Sequence, residues 1–206
     1  MQGKLWRYGP AEMLEFYERD LCNLSKDYVW PVGPGDDIEI IEKQVGGAGV
    51  ARFRSESGAI VIKAKDKAPV VWALEVKKCA EAAIISFRDG ECHLHLLEMK
   101  SKLTQGQLSH ALIQLEGMFL SALAVARLIG IMTFASTTCY IAYKEDALNP
   151  SESADMIFMK SFVGMNNPLG GYEDWEAETL DLPLSTKAVL KKGQRDAEAN
   201  IHFGEI

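Results

Sequence analysis

What this chain lacks narrows the field before any motif is considered. Among its 206 residues are only four cysteines (Cys22, Cys79, Cys92 and Cys139), and none forms a CxxC pair. Their apolar or strand-like surroundings indicate reduced, buried thiols of a cytoplasmic protein rather than a disulfide framework. No apolar run is both long and free of charge. Leu112 to Phe134 comes nearest, but Glu116 and Arg127 interrupt it and its small residues suit a buried helix, so no membrane partner is expected. The opening MQGKLWRYGPAEM lacks the apolar stretch of a secretory signal. A basic excess is missing too: the net charge is −7, unlike that of a free-standing nucleic-acid binder. No Ser-His-Asp or Cys-His arrangement stands out. Gly46-Gly47-Ala48-Gly49 is followed by neither a Lys-Ser/Thr pair nor a helix, which makes it a plain turn rather than a phosphate cradle. Repeats and low-complexity tracts are absent as well.

What is present suffices for one well-cored domain: 48% of the residues are hydrophobic and 25% charged, ordinary values for a globular protein. The charges are uneven. Lys63, Lys65, Lys67, Lys77, Lys78, Lys100 and Lys102 crowd one stretch, whereas Glu145 to Glu178 is acidic. A local basic face within an acidic protein is therefore open.

Apolar spacing predicts an amphipathic helix from Pro10 to Leu24, then a breaker segment from Pro31 to Asp37 and a strand from Asp37 to Lys43. Val50–Ser55 and Ala59–Ala64 are expected to pair as a hairpin around Ser57-Gly58, and Val70–Lys77 to form a further strand. Thr104 to Ile129 is the longest helical pattern, with Thr104 as N-cap and Gly130 as the stop. Ile131–Tyr143 follows as a central strand. Beyond Glu145 the pattern weakens: a loop over 149–155, a short element over 154–163, a turn at Asn166–Gly171 and a helix from Leu184 to Ala199 begun by Ser185. The fold class is α/β, with a mixed sheet flanked by helices and an irregular polar C-terminal extension.

The chemistry concentrates between Cys79 and Lys102. Asp89-Gly90 between two apolar runs is a strong hairpin signal, since a two-residue type I′ turn requires φ > 0 twice. With Arg88 facing Glu91, counting outward sets Glu81 directly opposite Glu98, and directly opposed residues share a face. Lys100, two residues on, joins them. Two carboxylates at that spacing repel unless a cation lies between them, so the trio suggests a divalent-metal site. Mg²⁺ prefers oxygen ligands and keeps several waters. Glu81 and Glu98 would hold it, with the Met99 backbone carbonyl as a third ligand and Mn²⁺ as a substitute. Lys100 would place the attacking water or stabilise the developing charge, and Gln114 would orient Lys100 or that water from the helix.

An acidic residue opening a strand, a tight turn, a strand ending Glu98-Met99-Lys100, then a long helix and another strand: this order resembles the PD-(D/E)xK nuclease superfamily, with its restriction-endonuclease-like fold. The resemblance covers Cys79 to Tyr143, and Gln114 is similar to a helix glutamine of some branches. It implies a nuclease-like domain over 1–144 with 145–206 packed on or trailing from it, and metal-dependent cleavage of DNA ahead of RNA. It also implies nucleic acid as partner, work as a homodimer or in a larger complex, and a defence, repair or mobile-element setting. The pattern departs at its first acid, usually Asp after Pro, where this chain has Ala80-Glu81. If Ala80 holds that position the first ligand is missing, and the alternative is a catalytically inactive scaffold that binds nucleic acid or protein. A small-nucleotide sensor on the same fold is a third reading.

Weaker constellations are read plainly. A second Glu-x-Lys, Glu75-Val76-Lys77, has no long helix after it. In Cys92-His93-Leu94-His95, alternation sets Cys92 on the face opposite both histidines, which argues against zinc and puts the histidines on a partly exposed face. Gln107, His110 and Gln114 share one helix stripe, which is either a polar stripe beside the site or, the reading slightly favoured, a solvated helix edge. Trp6, Trp30, Trp72 and Trp175 are assigned to packing rather than base stacking.

Overall fold

Alternating burial marks the outer strands Asp37–Glu42 and Thr179–Leu182, near-continuous burial marks the central ones, and together they build two sheets rather than one. The computed structural model describes residues 10–43, 48–148 and 172–206. The elements are α1 (Pro10–Glu18), β1 (Val29–Val32), β2 (Asp37–Glu42), β3 (Gly49–Arg54), β4 (Ala59–Ile62), β5 (Ala82–Arg88), β6 (Glu91–Leu103), α2 (Gln105–Leu128), β7 (Ser136–Asp146), α3 (Tyr172–Ala177), β8 (Thr179–Leu182), β9 (Thr186–Gln194) and β10 (Asn200–Glu205). Seven strands form the main sheet in the order β1-β4-β5-β6-β7-β9-β8, and β10-β3-β2 form a second. The main sheet is mixed: β6, β7 and β9 run parallel, and the remaining pairs are antiparallel.

Three layers result. On one face of the main sheet, Leu94, Leu96, Ile85 and Ile141 pack with Met13 and Tyr17 of α1, Leu108, Leu115 and Phe119 of α2, and Trp175 of α3. On the other, Ala82, Ile84, Leu97 and Tyr140 pack against Ile38, Ile40 and Phe53 of the small sheet. Helices thus cover one face among the described residues and a sheet covers the other, correcting the expectation of helices flanking the sheet. α2 is long and apolar enough to cross a bilayer by length and composition, but 61% of its apolar window is buried inside the molecule.

The Asp89-Gly90 turn forms as read, with φ of 54° and 76°, and the β5–β6 register runs from Arg88↔Glu91 to Ala82↔Leu97. Thr104 caps α2 by accepting from the Gln107 amide, and Gly130 takes φ 87°. Four other readings change. β3 and β4 do not pair: β4 is buried at every residue and lies inside the main sheet, whereas β3 joins β2 and β10. The first two residues of the breaker segment, Pro31 and Val32, end β1, and Pro31 is tolerated there because β1 is an edge strand. Val70–Lys77 forms no strand, for β4 pairs directly with β5 and leaves no slot between them. Leu184–Ala199 is not a helix but mostly β9, whose inward residues Ala188 and Leu190 recur every second position.

Over its described residues 172–206 the C-terminal extension is not irregular: β8 and β9 complete the main sheet and β10 completes the small one. Three of the cysteines are buried, but Cys22 is exposed. Trp6 and the elements expected over 149–171 lie outside the described residues.

Candidate functional site

The site forms where β6 outruns β5. The β5–β6 ladder stops at Ala82↔Leu97, so Glu98 to Leu103 continue with only β7 beside them. Directly before β5, the Glu81 amide donates to the Leu97 carbonyl at 2.9 Å, the residue already facing Ala82. Two residues then face one, the arrangement of a β-bulge, which bends a strand and re-aims a side chain. Glu81 is thus held just past the ladder rather than as a regular partner of Glu98. Its carboxylate still feels the Glu98 charge.

The segment leading into Glu81 is pinned to α2. The Ala80 amide donates to the Gln114 carbonyl at 2.9 Å, and Gln114 Nε2 donates to the Cys79 carbonyl at 3.3 Å. Gly117 permits this closeness, because a Cβ there would stand 2.0 Å from the Lys78 carbonyl oxygen. Ala80 itself is buried in the apolar core, leaving Glu81 as the first acid of the site.

Three carboxylates and two ammonium groups converge. Lys100 Nζ lies 2.6 Å from Glu98 Oε1 and donates to Gln114 Oε1. Lys67 Nζ bridges Glu42 Oε2 at 2.7 Å and Glu81 Oε1 at 2.6 Å. Arg195, after β9, donates to the Lys100 carbonyl at 2.7 Å and to the Ala48 carbonyl at 3.5 Å. Glu98 is 0% exposed, and its Oε2 has no hydrogen-bond partner among the described residues. Burial pushes the Glu98 carboxyl upward against the pull of Lys100. Burial, a hydrogen bond with Glu42 and the Glu98 charge push Glu81 up to about 8, with Lys67 opposing. Burial works against the Lys67 ammonium too, but its bonds to Glu42 and Glu81 prevail and raise its pKa. Burial lowers that of Arg195, and Glu42 and Glu81 counter it.

This network opens into a pocket of ≈ 690 Å³ whose lining includes Glu98, Met99, Lys100 and Gln114. Lys67, Lys77, Lys78 and Lys102 add positive charge around it, with Glu42 and Asp66 among the acids. Gln107 and His110 line it as well, so the stripe they make with Gln114 borders the site. Met99 directs its side chain into the core on the opposite face. Glu75 and Lys77, the second Glu-x-Lys, are exposed on an irregular segment.

Glu42, Lys67 and Arg195 were not legible as site residues. Glu42 carried the one usable signal, being a carboxylate at the third inward position of β2 after Ile38 and Ile40. Lys67 sits in a turn with φ 54°, and Arg195 reaches the site only through the pairing of β9 with β7.

Among the described residues, no three His, Cys, Asp or Glu side chains form a metal-holding group. The donor set nonetheless suits Mg²⁺, which is commonly held by one or two carboxylates and keeps waters. Glu98 Oε2, buried and without a donor, is the atom such an ion would satisfy.

On the other face, His93 and His95 are both buried, not partly exposed. His95 contacts Ser86 Oγ at 2.9 Å and Tyr140 Oη at 3.2 Å, and His93 Nδ1 contacts Ser136 Oγ at 2.8 Å. Cys92 lies across the sheet from them, in the helix-side core. Trp175 is buried as expected, but Trp72 is 89% exposed, which overturns its assignment to packing.

No protein-family model, curated protein or solved structure matches the chain.

Proposed function

We propose that this chain is a magnesium-dependent nuclease of the PD-(D/E)xK kind, hydrolysing phosphodiester bonds of nucleic acid, DNA ahead of RNA. The observation that carries this reading is the buried Glu98 carboxylate, with Oε2 lacking a donor, beside Lys100 at a lysine-lined pocket. A buried charge is costly unless paired, and one ammonium satisfies only one of its oxygens. Glu98 and Glu81 would hold the ion, with the Met99 carbonyl as a further oxygen. The ion's chemistry is to polarise the scissile phosphate and lower the pKa of a water. Gln114 steers Lys100, whose ammonium orients the attacking water or offsets charge developing on the phosphoryl oxygens. Lys77, Lys78 and Lys102 engage flanking phosphates.

Mg²⁺ or Mn²⁺ is expected to raise the melting temperature of the wild type, as any ligand of the native state does, and not that of Glu98→Ala. Mn²⁺-dependent cleavage of labelled DNA or RNA should vanish in Lys100→Ala; cleavage that survives would overturn the mechanism.

A second reading is favoured by the Lys67 bridge between Glu42 and Glu81, which neutralises those carboxylates without any metal. On that reading the chain is a non-catalytic scaffold retaining a basic pocket. An absent metal effect on melting, together with retained nucleic-acid binding, would select it.

A further inference from the structure

We propose that Trp72 is a base-stacking platform and that the pocket receives single-stranded nucleic acid. This rests on the phosphodiester reading of the same site and names its substrate class. The segment from Ala68 to Lys78 is a loop closed at its base, where the Cys79 amide donates to the Lys67 carbonyl at 2.7 Å. Compact surface loops with tied ends are frequently functional. Lys67 at one end and Lys77 and Lys78 at the other line the pocket. Trp72 stands midway and is 89% exposed, more than any other large hydrophobic described.

The loop is not simply detached. The Val70 amide donates to Ser121 Oγ of α2 at 3.1 Å, and Lys78 passes against Gly117. The backbone is therefore held on the helix while the indole is left in solvent. Trp72 is five residues from Lys67 and from Lys77, so at roughly 3.3–3.6 Å per residue it lies within about 18 Å of the pocket wall.

An aromatic face beside a basic groove is the recurring arrangement for single strands, because every base has a π-face to stack and every nucleotide a phosphate to pair. Bases inside a duplex have both faces occupied and cannot use it. Charge complementarity favours the same occupant: the chain is net −7, yet five lysines face three carboxylates in this pocket.

The test uses the full chain in EDTA, so that cleavage plays no part. Fluorescence anisotropy is read with a labelled single-stranded DNA, its RNA counterpart and the corresponding blunt duplex. Single strands are expected to bind more tightly than the duplex and to quench tryptophan emission. Trp72→Ala is expected to weaken single-strand binding about ten-fold or more, and Trp72→Phe to retain most of it, with melting temperatures unchanged because the side chain is exposed. Equal affinities for Trp72→Ala and wild type would overturn the proposal, as would a preference for duplex. So would Trp72-dependent binding to phosphatidylcholine vesicles carrying phosphatidylserine with none to single strands. The two levels separate: Trp72-dependent single-strand binding without Mg²⁺-dependent cleavage keeps this inference and removes the nuclease, whereas cleavage with an unchanged KM in Trp72→Ala does the reverse.

Discussion

Two polar clusters, one at the exposed end of β6 and one between the two sheets, are buried in opposite ways. Where β6 outruns β5, Glu98 of the main sheet, Glu81 before β5 and Glu42 of the small sheet lie among ammonium groups, and Glu42 and Glu98 line a pocket. On the other face of the main sheet, His93, His95, Ser86 and Tyr140 lie under the small sheet, with Phe53 and Phe203 packed on the Tyr140 ring at 5.0 Å and 4.8 Å. Burial drives both kinds of group toward their neutral forms. It lifts Glu81 to about 8 and, helped by the His93, Lys191 and Arg88 charges, drops His95 to about 3. The difference lies in what remains. Ser86 and Tyr140 meet both ring nitrogens of His95, and Ser136 meets His93 Nδ1, leaving the bare His93 Nε2 as the one open position of that network among the described residues, whereas the glutamate network keeps a bare oxygen on a buried carboxylate. What separates them is access: a polar cluster packed between two sheets serves packing specificity, and a carboxylate left unsatisfied at the wall of a pocket has room for a ligand.

The sharpest way to break this comparison is Glu98→Gln, which keeps shape and removes charge. Cleavage is expected to fall by about 10²-fold or more, as when an electrostatic contributor to a transition state is removed. The melting-temperature rise produced by Mn²⁺ should disappear, while the metal-free protein at pH 8 is no less stable than wild type. Calorimetry with and without Mn²⁺ reads both; a variant that keeps its metal shift would place the ion elsewhere.

Next in size is Lys67→Met. It strands Glu42 and Glu81, whose side chains are 8% and 6% exposed. Removing one partner of a buried pair costs up to about 3–5 kcal/mol; Lys67 is 36% exposed, so solvent screening reduces this to about 1–2 kcal/mol. The loss should be greater at pH 9 than at pH 5, where Glu81 carries a proton in either protein. Urea unfolding at the two pH values measures it.

A smaller and more diagnostic effect concerns the pH profile. Glu81 is raised from 4.5 to about 8, so across that window the native state binds a proton that the unfolded chain has released. Its contribution is full below pH 4.5 and is lost as pH rises to about 8. His95 is lowered from 6.5 to about 3, so its contribution is full above pH 6.5 and is lost as pH falls toward 3. The opposing slopes place their joint optimum between about pH 4.5 and 6.5. Glu81→Gln should remove the decline above that range and leave the acid limb intact. Metal affinity should likewise climb until about pH 8, since the ion must displace the Glu81 proton.

How much of this was legible in the sequence divides along the same line. The Asp89-Gly90 hairpin, the capped helix and the placement of Lys100 beside Glu98 follow from local rules, namely turn chemistry, N-capping and strand alternation. The bulge that re-aims Glu81 is set by where β5 stops, which no residue pattern announces. Lys67 and Arg195 come from segments distant in sequence and arrive through tertiary pairing. The second sheet was hidden for a similar reason. Val50–Ser55 and Ala59–Ala64 look like one hairpin because each is apolar and a Gly sits between them. Only burial at every residue of Ala59–Ile62 tells that β4 lies between two layers and β3 does not.

The smallest expected effect tests the sealed face. Tyr140→Phe removes the hydroxyl 3.2 Å from His95 Nδ1 and leaves the ring packed between Phe53 and Phe203. One lost hydrogen bond in a buried network costs about 1 kcal/mol. The loss should be constant from pH 6 to pH 9, because His95 is neutral throughout that range. Metal response and cleavage should not change, since the β-sheet separates Tyr140 from Glu98 and Lys100. If Tyr140→Phe instead altered the Mn²⁺ shift, the two faces would be one coupled system. The bare oxygen of Glu98 would then have to be explained together with the histidines rather than by a ligand in the pocket.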